Sequence, residues 1–325
     1  MLAVAATLAC SIRPAQAGYV FQDIVNPADA TFNQELDINQ AGEIAGYFGS
    51  GAVGHPNKGY TTTPPYTSFS NENFPGSEQT QVTGLNNAAT TVGFWSDTNL
   101  GSGDNNFGFV DQGGTFTNVN NPATGSGPAI NQLLGVNDSS IAVGFYTDTA
   151  GATHGYTYDI AAKTFSANID DPNGVGATTA AAINNKGDIA GFYTDAGGAV
   201  HGFVEVGGIF STIDPTGSQA TQLLGLNDNG QAVGDWIDAG GVMHGLLFNL
   251  ATDTFQNIDD PKGIGSTTVN GLNDKGQLVG FYVNDADETI GFIANPTATP
   301  EPASLTLLAA GLAGFGVWRR RRRAA

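Results

Sequence analysis

Short runs of apolar and aromatic residues alternate with polar turns through most of the chain. Representative runs read "TQLLGLN", "QAVGDWI", "HGFVEV" and "IFSTIDP". They are rich in β-branched and aromatic residues and show no helical period, which predicts β-strands. The Asn, Asp and Gly residues between them predict tight turns, because Asn and Asp open turns and Gly tolerates positive φ. We therefore predict an all-β fold.

This pattern recurs as an internal repeat. The segment "INQAGEIAGYF" at 38–48 returns as five further copies, down to "LNDKGQLVGFY" at 272–282. Each copy has an Asn and, seven residues later, a Gly, and copies are 43 to 51 residues apart, which suits a four-stranded propeller blade. The pairs that define the first to sixth repeats are Asn39 and Gly46, Asn86 and Gly93, Asn137 and Gly144, Asn184 and Gly191, Asn227 and Gly234, and Asn273 and Gly280.

The two ends of the array predict closure. The segment "YVFQDIVNP" after Gly18 matches the fourth-strand pattern "DTFQNIDDP", whereas the sixth repeat stops after its third strand, "IGFIANP". We therefore predict a six-bladed β-propeller over residues 18–296, in which an N-terminal strand completes the last blade. An open β-solenoid is the alternative, although it would not need the shifted strand.

The repeat core and the strand that follows it resemble the HAF-type extracellular repeat family. The second element reads "HGY" at 154–156, "HGF" at 201–203 and "HGL" at 244–246, and it degenerates in the other repeats. The resemblance implies a secreted repeat protein and carries no activity with it.

The N-terminus predicts a signal peptide at residues 1–17. An apolar run precedes Ala15-Gln16-Ala17, an A-x-A site after which cleavage would leave Gly18 first. A buried N-terminal strand is the alternative. Because the single cysteine, Cys10, lies in this segment, the mature protein would form no disulfide and use no thiol chemistry.

The C-terminus has three parts, a Pro-rich linker at 297–302, an apolar run and an arginine cluster within 303–325. The 16 uncharged residues from Ala303 to Trp318 would span about 24 Å as a helix, less than the ~30 Å hydrocarbon thickness of a bilayer. The arginines would stay cytoplasmic by the positive-inside rule, which leaves the repeats outside. We predict a short transmembrane helix here.

The order of these parts closely resembles the PEP-CTERM sorting signal. The resemblance implies that an exosortase-type membrane protease processes the chain, in bacteria that make exopolysaccharide. An ordinary short membrane anchor is the alternative. The residues of the signal are Pro300, Glu301, Pro302, Arg319, Arg320, Arg321, Arg322 and Arg323.

Charge narrows the candidate partners. Residues 18–296 hold five lysines against 29 acidic residues, a net charge of −24. Such a surface repels nucleic acid, which we exclude as a partner, and it also repels anionic lipid.

Two residue sets suggest metals, and local hydrogen bonding explains both. His154, His201 and His244 occupy equivalent positions, where Ile290 stands in the sixth repeat, so we expect each to bond within its own blade rather than to converge on one ion. The loops "NVNNP" (118–122), "IDDPNG" (169–174) and "IDDPKG" (258–263) read as Asx and Asp-Pro turns. We predict no cofactor and no metal, with Ca²⁺ at these loops as the open alternative.

Departures from the repeat are the places to look for function. The first repeat has a long loop, "GSGAVGHPNKGY", with His55 and Lys58, and the second has the insertion "DTNLGSGDNN". Neither pairs a nucleophile with a base, and no glutamate pair suggests glycoside chemistry. An aromatic cluster also departs from the repeat, formed by Tyr60, Tyr66, Phe69 and Phe74. At their spacing we expect Trp95 and Trp236 to pack between blades, with stacking on sugars as the alternative.

These features predict an exported surface or extracellular-matrix protein with a binding or structural role linked to exopolysaccharide or biofilm. It would be tethered transiently at the inner membrane before its release to the cell surface. Its expected partners are an exosortase-type protease and exopolysaccharide or other matrix components. A secreted polysaccharide hydrolase or lyase is the alternative.

Overall fold

The computed structural model describes residues 18–99, 103–174, 176–263 and 265–297. These residues form β-strands, turns and loops and contain no helix, so no helix among them could cross a membrane. The fold is all-β, as the sequence predicts. The predicted signal peptide, transmembrane helix and arginine cluster lie outside the described residues.

The strands follow the repeat. The N-terminal strand is β1 (Tyr19–Ile24). The first three repeats contain β2 (Asn33–Ile38), β3 (Ile44–Phe48), β4 (Lys58–Thr62), β5 (Phe69–Asn71), β6 (Gln79–Leu85), β7 (Thr90–Ser96), β8 (Phe107–Gln112), β9 (Phe116–Val119), β10 (Asn131–Val136), β11 (Ile141–Thr147), β12 (Thr153–Asp159) and β13 (Thr164–Phe165).

The last three repeats continue the series in the same order. They contain β14 (Thr178–Ile183), β15 (Ile189–Thr194), β16 (Val200–Val206), β17 (Ile209–Ile213), β18 (Ala220–Leu226), β19 (Gln231–Ile237), β20 (Met243–Asn249), β21 (Thr254–Asn257), β22 (Thr268–Leu272), β23 (Leu278–Val283) and β24 (Thr289–Pro296).

Each of the first three repeats forms its own four-stranded antiparallel sheet, with neighbouring strands consecutive in sequence. The fourth and fifth repeats share one eight-stranded sheet, joined by the single parallel pair Val200 and Ala220. The last sheet has the order β1-β24-β23-β22, so the N-terminal strand pairs with the final strand in the predicted position.

The join between the fourth and fifth repeats is not exceptional. Similar parallel bridges link the second repeat to the third, the third to the fourth, and the fifth to the sixth. Phe32 and Thr289 make the same bridge between the first repeat and the sixth. The first and last repeats are therefore neighbours, connected as the others are.

The six asparagines that define the repeats form a closed circle of hydrogen bonds. Each side-chain Nδ2 donates to the backbone carbonyl of the asparagine in the next repeat, over 3.0 to 3.3 Å, and Asn273 donates back to Asn39. Each Oδ1 accepts backbone N–H groups of its own turn, as Asn184 does from Lys186 and Asp188. The amides thus fix the turns and connect the repeats at the same time.

The paired glycines allow close packing of strands. At Gly144, a Cβ atom would collide with the backbone carbonyl of Gln132 on the adjacent strand, and the other five glycines have equivalent neighbours. A bulge beside each glycine, such as that at Leu133 and Gly135, accompanies this contact. Only glycine fits at this point of the repeat.

The hydrophobic core lies between neighbouring sheets. Val143 of the third repeat packs with Ala180 and Phe203 of the fourth, for example. The core position four residues before each asparagine is fully buried and apolar in five repeats. These residues are Val82, Leu133, Ala180, Leu223 and Val269, and the first repeat has the equally buried Glu35 instead.

Candidate functional site

Two clefts lie beside the long loop of the first repeat, between β3 and β4. The first, which we call the amide cleft, has a volume of about 310 Å³ and lies where the first three repeats meet. Its polar lining comes from Asn57, Gln79, Gln81, Asp104, Asn106 and Gln132, and its aromatic lining from Phe94 and Trp95.

Hydrogen bonds hold the amide cleft in shape. Gln81 Nε2 donates to Asn57 Oδ1 at 2.8 Å, and Gln132 Nε2 donates to Asn106 Oδ1 at 2.6 Å. Gln79 Nε2 donates to Asp104, which lies in the insertion of the second repeat. Two oxygens, those of the Gln81 and Gln132 side-chain amides, have no partner among the described residues and remain open to a ligand.

Trp95 forms one wall of the amide cleft. Its ring stacks on Phe74 with centroids 4.4 Å apart, and its Nε1 donates to Asn118 Oδ1 at 3.1 Å. Trp236 makes the same bond to Asn257 in the fifth repeat. Both tryptophans are therefore held within their own repeats, and Trp95 in addition borders a cleft.

The second cleft, which we call the aromatic cleft, has a volume of about 590 Å³. Its walls include the rings of Phe48, Tyr60 and Phe69, with Tyr60 and Phe69 edge to face at 5.0 Å. Lys58 and the side chains of Asn26, Asn71 and Asn73 supply its polar groups. Asn57 lines one cleft and Lys58, the next residue, lines the other, so the clefts share the start of β4 as a wall.

The aromatic residues singled out in the sequence therefore separate. Tyr60 and Phe69 line the aromatic cleft, whereas Phe74 packs on Trp95. Tyr66 Oη donates to the backbone carbonyl of Gly42 at 3.0 Å. His55 lies at the end of a turn in the long loop, where its N–H donates to Ala52.

The three repeat histidines contact aspartates within their own repeats. His154, His201 and His244 bond through Nδ1 to Asp170, Asp214 and Asp259, over 2.7 to 2.9 Å. Their Nε2 atoms lie 3.5 to 3.6 Å from Asp148, Asp195 and Asp238. The hydrogen bond with Asp214 raises the pKa of His201, and the Ala199 N–H lowers the pKa of Asp195. Each imidazole bonds within its own repeat, as the sequence predicts, and so joins two loops of that repeat.

The acidic loops are closed by Asx turns. Asp171 Oδ1 accepts the N–H of Asn173, Asp260 Oδ1 accepts that of Lys262, and Asn121 Oδ1 accepts that of Ala123. The second carboxylate oxygens of Asp171 and Asp260 are buried without a partner. In the part of the chain that the structure describes, no group of three or more His, Cys, Asp or Glu residues could hold a metal ion.

A smaller cavity of about 80 Å³ lies inside the circle of asparagines. The residues after the asparagines line it, including Asp138, Asp228 and Asp274. Backbone N–H groups of the preceding repeats bond all three carboxylates, from Asn87 to Asp138, from Asn185 to Asp228 and from Asp228 to Asp274. The polar groups here therefore link repeats to each other.

Glu35 was missed by sequence reasoning. The Tyr60 hydroxyl donates to Glu35 Oε1 at 2.7 Å, while Oε2 is buried without a partner. A Cβ at Gly291 of β24 would collide with this carboxyl, so Glu35 packs at the seam between the first and sixth repeats. Burial raises its pKa to about 8. The sequence signal for Glu35 was an acid four residues before the repeat asparagine, at a position that is apolar in the other five repeats.

Comparison with known proteins identifies the C-terminal signal. The family described as PEP-CTERM protein-sorting motif matches residues 298–322, which include Pro300, Glu301 and Pro302 and end one residue before Arg323. This confirms the predicted motif, which implies export, a membrane-associated C-terminus and processing by an exosortase. None of the curated proteins compared matches this chain.

Similar solved structures include a β-propeller lectin and TolB proteins. A putative TolB from Agrobacterium tumefaciens has a TM-score of 0.54 at 10% identity, covering 87% of this chain and all of that one. TolB from Acinetobacter baumannii has a TM-score of 0.51 at 10% identity, covering 83% of this chain and 65% of that one. The six-bladed fucose-recognising lectin of Aleuria aurantia has a TM-score of 0.50 at 10% identity, covering 84% and 98%. These likenesses show the fold alone.

Proposed function

We propose that this chain is an exported, non-catalytic binding protein that holds a carbohydrate of the extracellular matrix in the amide cleft. The observation that carries the proposal is the lining of that cleft, where fixed amides and a carboxylate surround a space beside Trp95. Hydroxyl groups of sugars both donate and accept hydrogen bonds, and amide side chains match both roles. An aromatic wall suits the apolar face of a sugar ring.

The remaining parts of the proposal concern architecture and delivery. The body is a six-bladed β-propeller closed by β1, built from HAF-type repeats. A signal peptide ending at Ala17 starts export, the C-terminal helix tethers the chain to the inner membrane, and an exosortase releases it to the cell surface or matrix. There it has a binding or structural role in exopolysaccharide or biofilm, and it needs no cofactor. Support comes from the sorting motif and from the β1-to-β24 pairing.

A glycan array probed with the full-length protein tests this function. We expect binding to neutral or acidic polysaccharides, lowered at least ~10-fold in the variant Gln81→Ala/Gln132→Ala, because each lost hydrogen bond is worth about 1 kcal/mol. Gln222→Ala is the matched control, since Gln222 occupies the same repeat position in the fifth repeat and does not line the cleft.

The rival function is a polysaccharide hydrolase or lyase. Incubation of the bound polysaccharides with the protein, followed by measurement of new reducing ends and of unsaturated products, separates the two. Turnover that exceeds the buffer blank would contradict the binding role, and a complete lack of binding on the array would also contradict it.

A further inference from the structure

The aromatic cleft differs in charge from its surroundings. Among the described residues that line it, none is acidic, although residues 18–296 contain 29 acidic side chains. The amide cleft next to it includes Asp104. An anionic group would therefore meet no carboxylate in the lining of the aromatic cleft.

Its polar lining offers hydrogen-bond donors. Asn26 is only 6% exposed, and its Oδ1 accepts the N–H of Ala28, while its Nδ2 has no partner among the described residues. Asn71 is exposed, and its Oδ1 accepts hydrogen bonds from the backbone N–H and the side-chain Nδ2 of Asn73, while its own Nδ2 has no partner within the described part. Unpaired donors in a partly buried cleft fit a ligand rich in acceptors.

Lys58 adds a cation to these donors. Its Nζ donates to the backbone carbonyl of Glu78 at 2.7 Å, which leaves two of its three N–H bonds. In the third to fifth repeats the same position holds a histidine that is paired with two aspartates. In the first repeat Asn73 takes the place of one of these aspartates, because its Oδ1 accepts the Gly59 N–H as Asp214 accepts the Gly202 N–H. Lys58 therefore has no carboxylate partner among the described residues.

The size and walls of the cleft fit a ring. A volume of about 590 Å³ lies within the range of small-ligand clefts, roughly 300 to 1,000 Å³. Phe48 and Tyr60 lie nearly parallel, with centroids 6.4 Å apart, and Phe69 meets Tyr60 edge to face. Phe48 and Phe69 are half-buried and present apolar surface that suits the C–H face of a sugar, whereas Tyr60 is only 1% exposed and supports both rings. The donors at the rim suit a carboxylate.

From these contacts we propose that the aromatic cleft binds a carboxylated sugar, a uronic acid residue, belonging to the polysaccharide that occupies the amide cleft. This inference rests on the proposed function, because one chain spans both clefts across the start of β4. The net negative charge of the body does not prevent it, since charges beyond a Debye length of ~8 Å are largely screened at physiological ionic strength. The groups within the cleft then decide the preference.

Isothermal titration of the full-length protein with trigalacturonate and with its fully methyl-esterified form tests the proposal. The two ligands share a backbone and differ in charge. At 0.15 M salt we expect the acid to bind at least ~10-fold tighter, because a charge-assisted hydrogen bond is worth about twice a neutral one. Lys58→Met should abolish this preference and Lys58→Arg should retain it.

The control is Lys186→Met. Lys186 donates through Nζ to the backbone carbonyl of Asp228 at 2.7 Å, so it makes the same kind of bond as Lys58, at the circle of asparagines. Equal binding of acid and ester by the wild type, an unchanged preference in Lys58→Met, or the same loss in Lys186→Met would each overturn the proposal. Thermal unfolding of each variant separates loss of fold from loss of binding.

Failure of the proposed function gives a different result. If neutral glycans bind and respond to Gln81→Ala/Gln132→Ala while the acid shows no advantage, only the uronic acid site is wrong. If no glycan on the array binds, both are wrong.

Discussion

The first repeat and the third to fifth repeats share one backbone framework and differ in the side chains at two of its positions. Both have the asparagine circle, the close-packed glycine and the same strand order. In the regular repeats the core position is apolar and a histidine joins two loops. In the first repeat these positions hold a buried acid, Glu35, and Lys58, a cation with no carboxylate partner among the described residues, beside two clefts.

This difference teaches that the backbone framework and the binding surface are separable in this protein. Glu35, a buried carboxyl with one oxygen that lacks a partner, replaces an apolar core residue in the repeat that has the clefts. The regular repeats use the same positions for packing and ion pairs. Two kinds of variant test this separation: those that give one region the residues of the other, and those that remove the asparagine bonds common to both.

The largest loss of stability is expected at the asparagine circle, which the two regions share. Asn184→Ala removes bonds to Asn227, Asp188 and Lys186 and leaves buried groups unpaired, so we expect a loss of about 3 kcal/mol in the free energy of unfolding. Asn39→Ala should cost as much in the first repeat. Urea unfolding measures both, and Asn173→Ala, at an exposed asparagine whose side chain has no partner among the described residues, should cost less than ~1 kcal/mol. A much smaller loss for Asn39→Ala would show that the backbone framework itself differs.

An intermediate effect on stability is expected when Glu35 of the first repeat is replaced by an apolar residue like those in the other repeats. Burial raises the pKa of Glu35 from 4.5 to about 8, so the unfolded chain releases this proton at lower pH than the folded one. Glu35 should therefore lower the stability of the wild type as pH rises from 4.5 to 8, by up to about 1.4 kcal/mol per pH unit. Glu35→Leu should remove this contribution and add about 2 kcal/mol at pH 8. Asp37, Glu72 and Asp235, whose pKa values burial raises to about 6, 7 and 7, should keep the remaining slope.

Urea unfolding across this pH range measures the effect of Glu35. The matched change is Leu133→Glu, which puts the same acid in a regular repeat and should introduce the slope there. Parallel pH curves for the wild type and Glu35→Leu would contradict the assignment.

The smallest effect is expected at the histidine ion pairs. Because Asp214 raises the pKa of His201, the protonated imidazole stabilises the fold below pH 6.5, and this contribution is lost as pH rises through the raised value. His201→Phe should thus cost less than ~1 kcal/mol at pH 5.5 and almost nothing at pH 9, since the pair is partly exposed. Phe107→His in the second repeat, where Asn120 replaces the aspartate, should give no gain. Equal losses at both pH values would instead indicate a packing role for His201.

Local features were readable from the sequence, and features made by two repeats were not. The strands, the pairing of β1 with the last repeat and the histidine bonds follow from patterns within single copies. The clefts depend on which side chains of different repeats meet, such as Gln132 with Asn106. The recurrence of Asn39 and its equivalents was plain, but its cause, an amide that reaches the next repeat, appears only in three dimensions.

The pairing of β1 with β24 also sets the timing of maturation. The sheet β1-β24-β23-β22 takes its outer strand from the start of the chain and its other strands from the end. Synthesis therefore delivers β1 long before its partner exists, and the last sheet cannot form until β24 has been made. A chain built this way stays incomplete during translation, which suits passage through a translocation channel as an extended strand and assembly on the far side.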